Sequence, residues 1–140
     1  MEYLNVTEQQ FEALKPLETA YKREIGEEAP TEADFDRLLE AIRKGDILFF
    51  ACADGERLVG CCSVSPTFST FDYRRGGVFE DFYIVPKHRH TGIAKELVRY
   101  AVENSGVGAS LTVGCADCDR AMYEALGFRI PIGTILAFER

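Results

Sequence analysis

The sequence predicts a mixed α/β fold, one central and mostly antiparallel sheet flanked by helices, in the order β-α-α-β-β-β-α-β-α-β-β. Three observations predict it. Capped apolar stripes at helical spacing alternate along the chain with short β-like runs. The run at 78–85 is apolar on both faces apart from Glu80 and Asp81, as a strand between two packed layers is. Finally, 140 residues with 46% hydrophobic and 28% charged composition match one domain, 1–140, burying about two-thirds of its unfolded surface without disulfide or metal staples.

After a first short strand, Thr7-Glu-Gln-Gln10 has the form of a capping box. A helix should start there, with Phe11, Leu14 and Leu17 inward and Pro16 forcing a kink or restart. Thr31 caps a second helix, whose Phe35, Leu38, Leu39 and Ile42 form one apolar stripe that ends at Gly45. The runs Ile47 to Ala53 and Leu58 to Val64, joined at Asp54-Gly55, form a hairpin. Ser65 to Gly77 is a polar loop, and the central strand Val78 to Val85 is stopped by Pro86. Ile93, Ala94, Leu97, Val98, Ala101 and Val102 place one face of the next helix on the sheet. Ser110 to Val113 is a short strand, and Asp119 to Leu126 a short helix closed by Gly127. Phe128 to Phe138 alternates around Gly133 as a last hairpin, with Pro131 confined to an edge or a strand end.

The net charge of −7 is unevenly spread. Residues 1–46 carry twelve acids against six bases, whereas 87–99 hold Lys87, Arg89, Lys95 and Arg99 against Glu96 alone. An acidic body repels nucleic-acid phosphates, while a small cationic cluster suits one compact polyanion. There is no apolar run long enough for a membrane-spanning helix and no secretory start at Met1 to Asn5, so a cytoplasmic location is expected. Five cysteines at irregular spacing suit a reducing compartment. Cys115-Ala-Asp-Cys118 lacks a second ligand pair, because Cys61 and Cys62 are adjacent on a strand and face opposite ways. No metal centre is predicted; Cys52, Cys61 and Cys62 are core residues.

The strand ending at Val85 leads through Arg89-His90-Thr91-Gly92-Ile93-Ala94 into a helix. Such a junction leaves amide N–H groups unpaired and pointing one way, with the positive end of the helix dipole behind them. It is a cradle for pyrophosphate. Gly92 permits close backbone approach, Ala94 keeps the first turn thin, and Arg89 and Lys95 add charge.

These residues are similar to the GNAT N-acetyltransferase superfamily. Its fourth strand ends in a Val-x-Pro-like step, here Val85-Pro86; its Arg/Gln-x-x-Gly-x-Gly/Ala motif is here Arg89 to Ala94; and its Tyr before Gly-Phe is here Tyr123-Glu-Ala-Leu-Gly127-Phe128. The resemblance implies acetyl-CoA as co-substrate, its pyrophosphate on residues 89–94 and its pantetheine arm on the amides of Ile84 and Val85 at a splayed strand end. Pro66 to Phe71 followed by Phe79 to Val85 resembles the polyamine and diamine branch. Two positions depart from the pattern: His90 stands where Gly is usual, and Ala116 where an Asn often reaches the pantetheine arm.

An amine with a pKa near 10 must lose a proton before it attacks a thioester, and the departing thiolate gains from a nearby acid. By resemblance that acid is Tyr123; the alternative is a helix residue that anchors hydrophobic packing. Glu80 and Asp81 are candidates for the base and the amine anchor. On a regular strand they face opposite ways, so a shared cleft requires a β-bulge; otherwise one is a carboxylate on the sheet's rim. Phe68, Phe71 and Tyr73 either wall an acceptor site or cap the core. The expected activity is direct acetyl transfer to a small cationic amine, and the acidic body would steer such an amine inward. The alternatives are a peptide or protein N-acetyltransferase and a non-catalytic acyl-CoA-binding module. An exposed edge in the final hairpin would support a homodimer.

Overall fold

The computed structural model describes residues 1–108 and 110–140. Five strands form one sheet in sequential order: β1 (Glu2–Asn5), β2 (Leu48–Asp54), β3 (Arg57–Ser69), β4 (Arg74–Ile84) and β5 (Leu111–Val113). Neighbours from β1 to β4 are antiparallel, and β5 runs parallel to β4. The parallel step needs a crossover, and α3 (Ile93–Asn104) supplies it.

The helices begin where the capping residues say they should. The Thr7 box closes a 3₁₀ turn, Glu8–Gln10, that runs into α1 (Phe11–Glu24), and the helix continues through Pro16. Thr31 and Asp34 make a reciprocal box at the start of α2 (Glu32–Lys44), which ends on Gly45 at φ +76°. Gly127, at φ +116°, ends α4 (Arg120–Leu126).

Two cores sandwich the sheet. On one side Phe11, Leu14 and Leu17 of α1 and Phe35 of α2 pack on Phe49, Cys61 and Tyr83. On the other, Leu97, Val98 and Ala101 of α3 pack on Phe50, Cys62, Val64 and Phe79. Cys61 and Cys62 thus face opposite ways, and burial pushes both thiols well above their ordinary range.

Three expectations are corrected. The stretch 65–77 is not a loop: Ser65–Ser69 pairs with Arg74–Val78 in register, making a two-stranded arm that extends past the core. Main-chain pairing does not require an apolar face, so the polar composition concealed it. Val102 is exposed, on the rim of α3's buried face. The hairpin expected over Phe128 to Phe138 is absent, since no strand follows α4 among the described residues. Pro131 has no N–H to give a ladder, Gly133 sits at φ +133°, and β5 offers only three residues to pair with.

Candidate active site

The pairing of β4 with β5 ends at Phe79 and Val113, while β4 continues to Ile84. The two strands part, and a cleft of about 290 Å³ opens between them. Tyr21 of α1, Glu80 and Asp81 of β4, Val113 and Gly114 beyond β5, and Tyr123 of α4 line it.

A bulge brings both carboxylates to this cleft. Ser63 pairs with Glu80 and Cys61 with Tyr83, so Asp81 and Phe82 stand opposite Cys62 alone. Asp81 takes up the extra residue at φ +52°, a left-handed conformation that non-glycine residues seldom adopt and that concentrates at functional sites. Its Oδ2 accepts a 2.6 Å hydrogen bond from buried Ser63 Oγ. Ser63 is the register partner of Glu80, so Glu80 and Asp81 share the α1 side of the sheet.

Tyr123 approaches from the other side. Its ring meets Phe79 edge-on at 6.5 Å and Phe128 at 6.0 Å, which fixes its position. Burial first, then the nearby Tyr21, Asp119 and Cys115, push its hydroxyl up to about 12. The phenol therefore holds its proton throughout the neutral range. The ring packs and the residue also lines the cleft, so the packing and acid readings of Tyr123 do not exclude one another.

The turn and helix start form where the sequence places them. Pro86–His88 makes a 3₁₀ turn, and Gly92 starts α3 at φ +88° with no side chain capping the helix. The N–H groups of Ile93, Ala94 and Lys95 have no intrahelical acceptor, and the stretch His90 to Gly92 before them is exposed. His90 itself adopts φ +60°, which a glycine would reach without steric cost. Thr91 Oγ1 donates to the His88 carbonyl at 2.6 Å and so braces the turn.

Two cofactor-binding expectations are modified. The Val85 N–H donates to the Val59 carbonyl at 2.9 Å, so β3 occupies it; strand alternation leaves the Ile84 N–H for the open edge. Arg89 is not a free cation above the cradle. Its Nε donates to the Ile84 carbonyl at 2.8 Å, its guanidinium pairs with Glu24 at 2.8 Å, and it lies 5.4 Å from the Tyr83 ring centroid. It ties the turn to β4 and to the end of α1.

The aromatic residues of the arm do not reach the cleft. Phe68, Phe71 and Tyr73 stand exposed at its tip, so they neither cap the core nor join the cleft's walls. The sequence reading also missed Glu18 and Tyr21. Both continue the inward stripe of Leu14 and Leu17 at helical spacing, and a carboxylate on a buried helix face is the signal that marks them.

The arrangement suits acyl transfer to an amine: carboxylates and a protonated phenol face one cleft beside an uncapped helix N-terminus. Comparison with known proteins agrees. The chain superposes over its whole length on 99% of a probable acetyltransferase at 21% identity, with a TM-score of 0.86. It covers 94% of an aminoglycoside acetyltransferase from an uncultured soil metagenomic sample in complex with sisomicin, using 99% of its own length, at 12% identity and a TM-score of 0.80. It covers 95% of a predicted acetyltransferase with acetyl-CoA from Clostridium acetobutylicum, using 98% of its own length, at 15% identity and a TM-score of 0.74. No curated protein sequence matches it. The family model described as acetyltransferase (GNAT) domain matches residues 45–130, more than half of the chain, and the chain therefore belongs to the GNAT acetyltransferase family.

Proposed function

We propose that the protein transfers the acetyl group of acetyl-CoA directly to a small cationic primary amine. The observation that carries this reading is the cleft where β4 and β5 part, with Tyr123 on one wall and Glu80 and Asp81 on the other. Acetyl-CoA would supply an activated thioester. Residues 90–94 fit its pyrophosphate through open amides, and the Ile84 N–H fits its arm. Glu80 and Asp81 hold and deprotonate the ammonium, and Tyr123 gives its proton to the departing thiolate. Residues 1–44 precede the matched segment, yet α1 contributes to the cleft, which supports one working unit over 1–140.

The cationic acceptor rests on charge. A second cavity, about 340 Å³, lies between α1 and α2 and presents Glu18, Glu27, Glu28 and Asp34 against Lys22. Glu18 in its wall lies beside Asp81 in the wall of the first. An amine carrying several positive charges is attracted to such a surface. Neutral or anionic amines are not.

The test combines binding and turnover. Acetyl-CoA at 100 times its Kd should add about 2.7 kcal/mol of apparent stability, and polyamines or aminoglycosides should then release free thiol while short peptides do not. Thiol release with peptides alone would replace the cationic amine by a peptide N-terminus. Binding with no turnover on any amine would leave an acyl-CoA-binding module.

The reading includes a homodimer. Ile130, Ile132, Leu136 and Phe138 are 76–90% exposed, and the outer edge of β5 has no partner strand among the described residues. A second copy whose tail lies along that edge would cover both. Sedimentation should give twice the 15.7 kDa chain mass, falling to one chain in an Ile132→Asp, Phe138→Asp variant. A monomeric wild type at tens of micromolar would contradict it.

A further inference from the structure

Glu18 is an unusual carboxylate. It is 6% exposed, on the face of α1 that packs against β3 and β4. Its Oε1 is buried and receives no hydrogen bond. The polar group beside it is another acceptor, the carboxylate of Asp81, already fixed by Ser63 and by its strained backbone. A buried carboxylate beside a second carboxylate is satisfied by it only with a proton between them.

We infer that Glu18 and Asp81 act as one proton-accepting unit, which holds a single proton at rest and, when both carboxylates are ionised, takes the proton of the acceptor ammonium. The inference rests on the proposed amine acetylation. An N–H bond of the ammonium breaks and an O–H bond forms on Asp81, leaving the lone pair on nitrogen to attack the thioester. The proton is shared with Glu18, which also lines the α1–α2 cavity, and leaves there to water, restoring the dianion. Asp81 touches the amine, and Glu18 is a positioning residue acting through it.

The surroundings favour this behaviour. Burial, then the charge of Asp81, push Glu18 up to about 8, and only Lys22 opposes them. On its own helix Tyr21 and Lys22 face it; Asp81 approaches from β4, where Glu80 faces Tyr21, and Cys61 from β3. Across the cavity stand Glu27, Glu28 and Asp34. Lys22 is itself paired with Glu27 at 3.2 Å, so the nearest cation is already partly neutralised. A base of this strength is better matched to an ammonium than an isolated carboxylate.

The pH dependence of kcat with a polyamine tests the idea. Wild type should rise through a limb near pH 8. Glu18→Gln keeps a donor to Asp81 but removes the shared proton; the limb should vanish and kcat at pH 8 should fall on the order of tenfold. Glu18→Asp should restore the limb. A second readout needs no activity. A carboxyl raised in the fold keeps its proton where the unfolded chain has lost it, so wild-type stability should fall as pH rises from about 4.5 to about 8. Glu18→Gln should lose that slope. Superimposable profiles and slopes for wild type and Glu18→Gln would overturn the inference. Wild type that shows the slope but acetylates no amine would overturn the transfer step and the proposed function together, while retaining the shared proton.

Discussion

Tyr123→Phe should lower kcat on the order of 100-fold, the contribution expected of one positioned acid, with the melting temperature little changed. The substitution leaves the ring in place. Its edge contacts with Phe79 and Phe128 survive, and only the hydroxyl is lost. A ring that served packing alone would give wild-type turnover, so the variant separates the two roles by rate. The direction of the hydroxyl's shift adds a further expectation. With its proton held up to about 12, Tyr123 should contribute no fall in kcat between pH 7 and 10, and an acid limb assigned to it in that window would contradict its place in the cleft. The assay is steady-state thiol release across that range, with circular dichroism to verify the fold.

Phe79→Ala should be strongly destabilising, costing about 3–5 kcal/mol out of a typical total of about 5–15. Phe79 is fully buried, stands opposite Val113 at the last rung joining β4 to β5, and touches Phe82, Tyr123 and Phe128. Removing the ring empties the centre of that cluster. It also undermines the point from which the cleft opens, so kcat should fall further than the loss of folded protein explains. Phe79→Leu, which fills most of the volume, should retain stability to within about 1–2 kcal/mol. Denaturant unfolding of the three proteins checks the order.

Which features could be read from the sequence follows from what encodes them. The Thr7 and Thr31 boxes, the Gly45 and Gly127 terminators and the stripe of Phe35, Leu38, Leu39 and Ile42 are local signals, and the helices follow them. The start of α3 was legible for the same reason, since Gly92 and its neighbours are contiguous. Features that depend on a partner strand were not. Ser65 to Gly77 forms a paired arm because two segments meet in register, which its polar residues do not announce. Phe128 to Phe138 carries the alternation of a strand, yet forms no strand among the described residues. The bulge decides whether Glu80 and Asp81 share a cleft, and it arises from the mismatch of β3 with β4 rather than from either strand alone. Glu18 was concealed differently: its position on the apolar stripe was visible, but the carboxylate that meets it lies 63 positions further along the chain.

The central claim is that the cleft transfers acetyl from thioester to amine in one step. A single-turnover experiment with acetyl-labelled CoA and a polyamine tests it most directly, with the label followed in both protein and product. The label should pass to the amine with one thiol released per acetyl group, and none should accumulate on the protein. Label retained on the protein, or thiol released without acetylated amine, would contradict it.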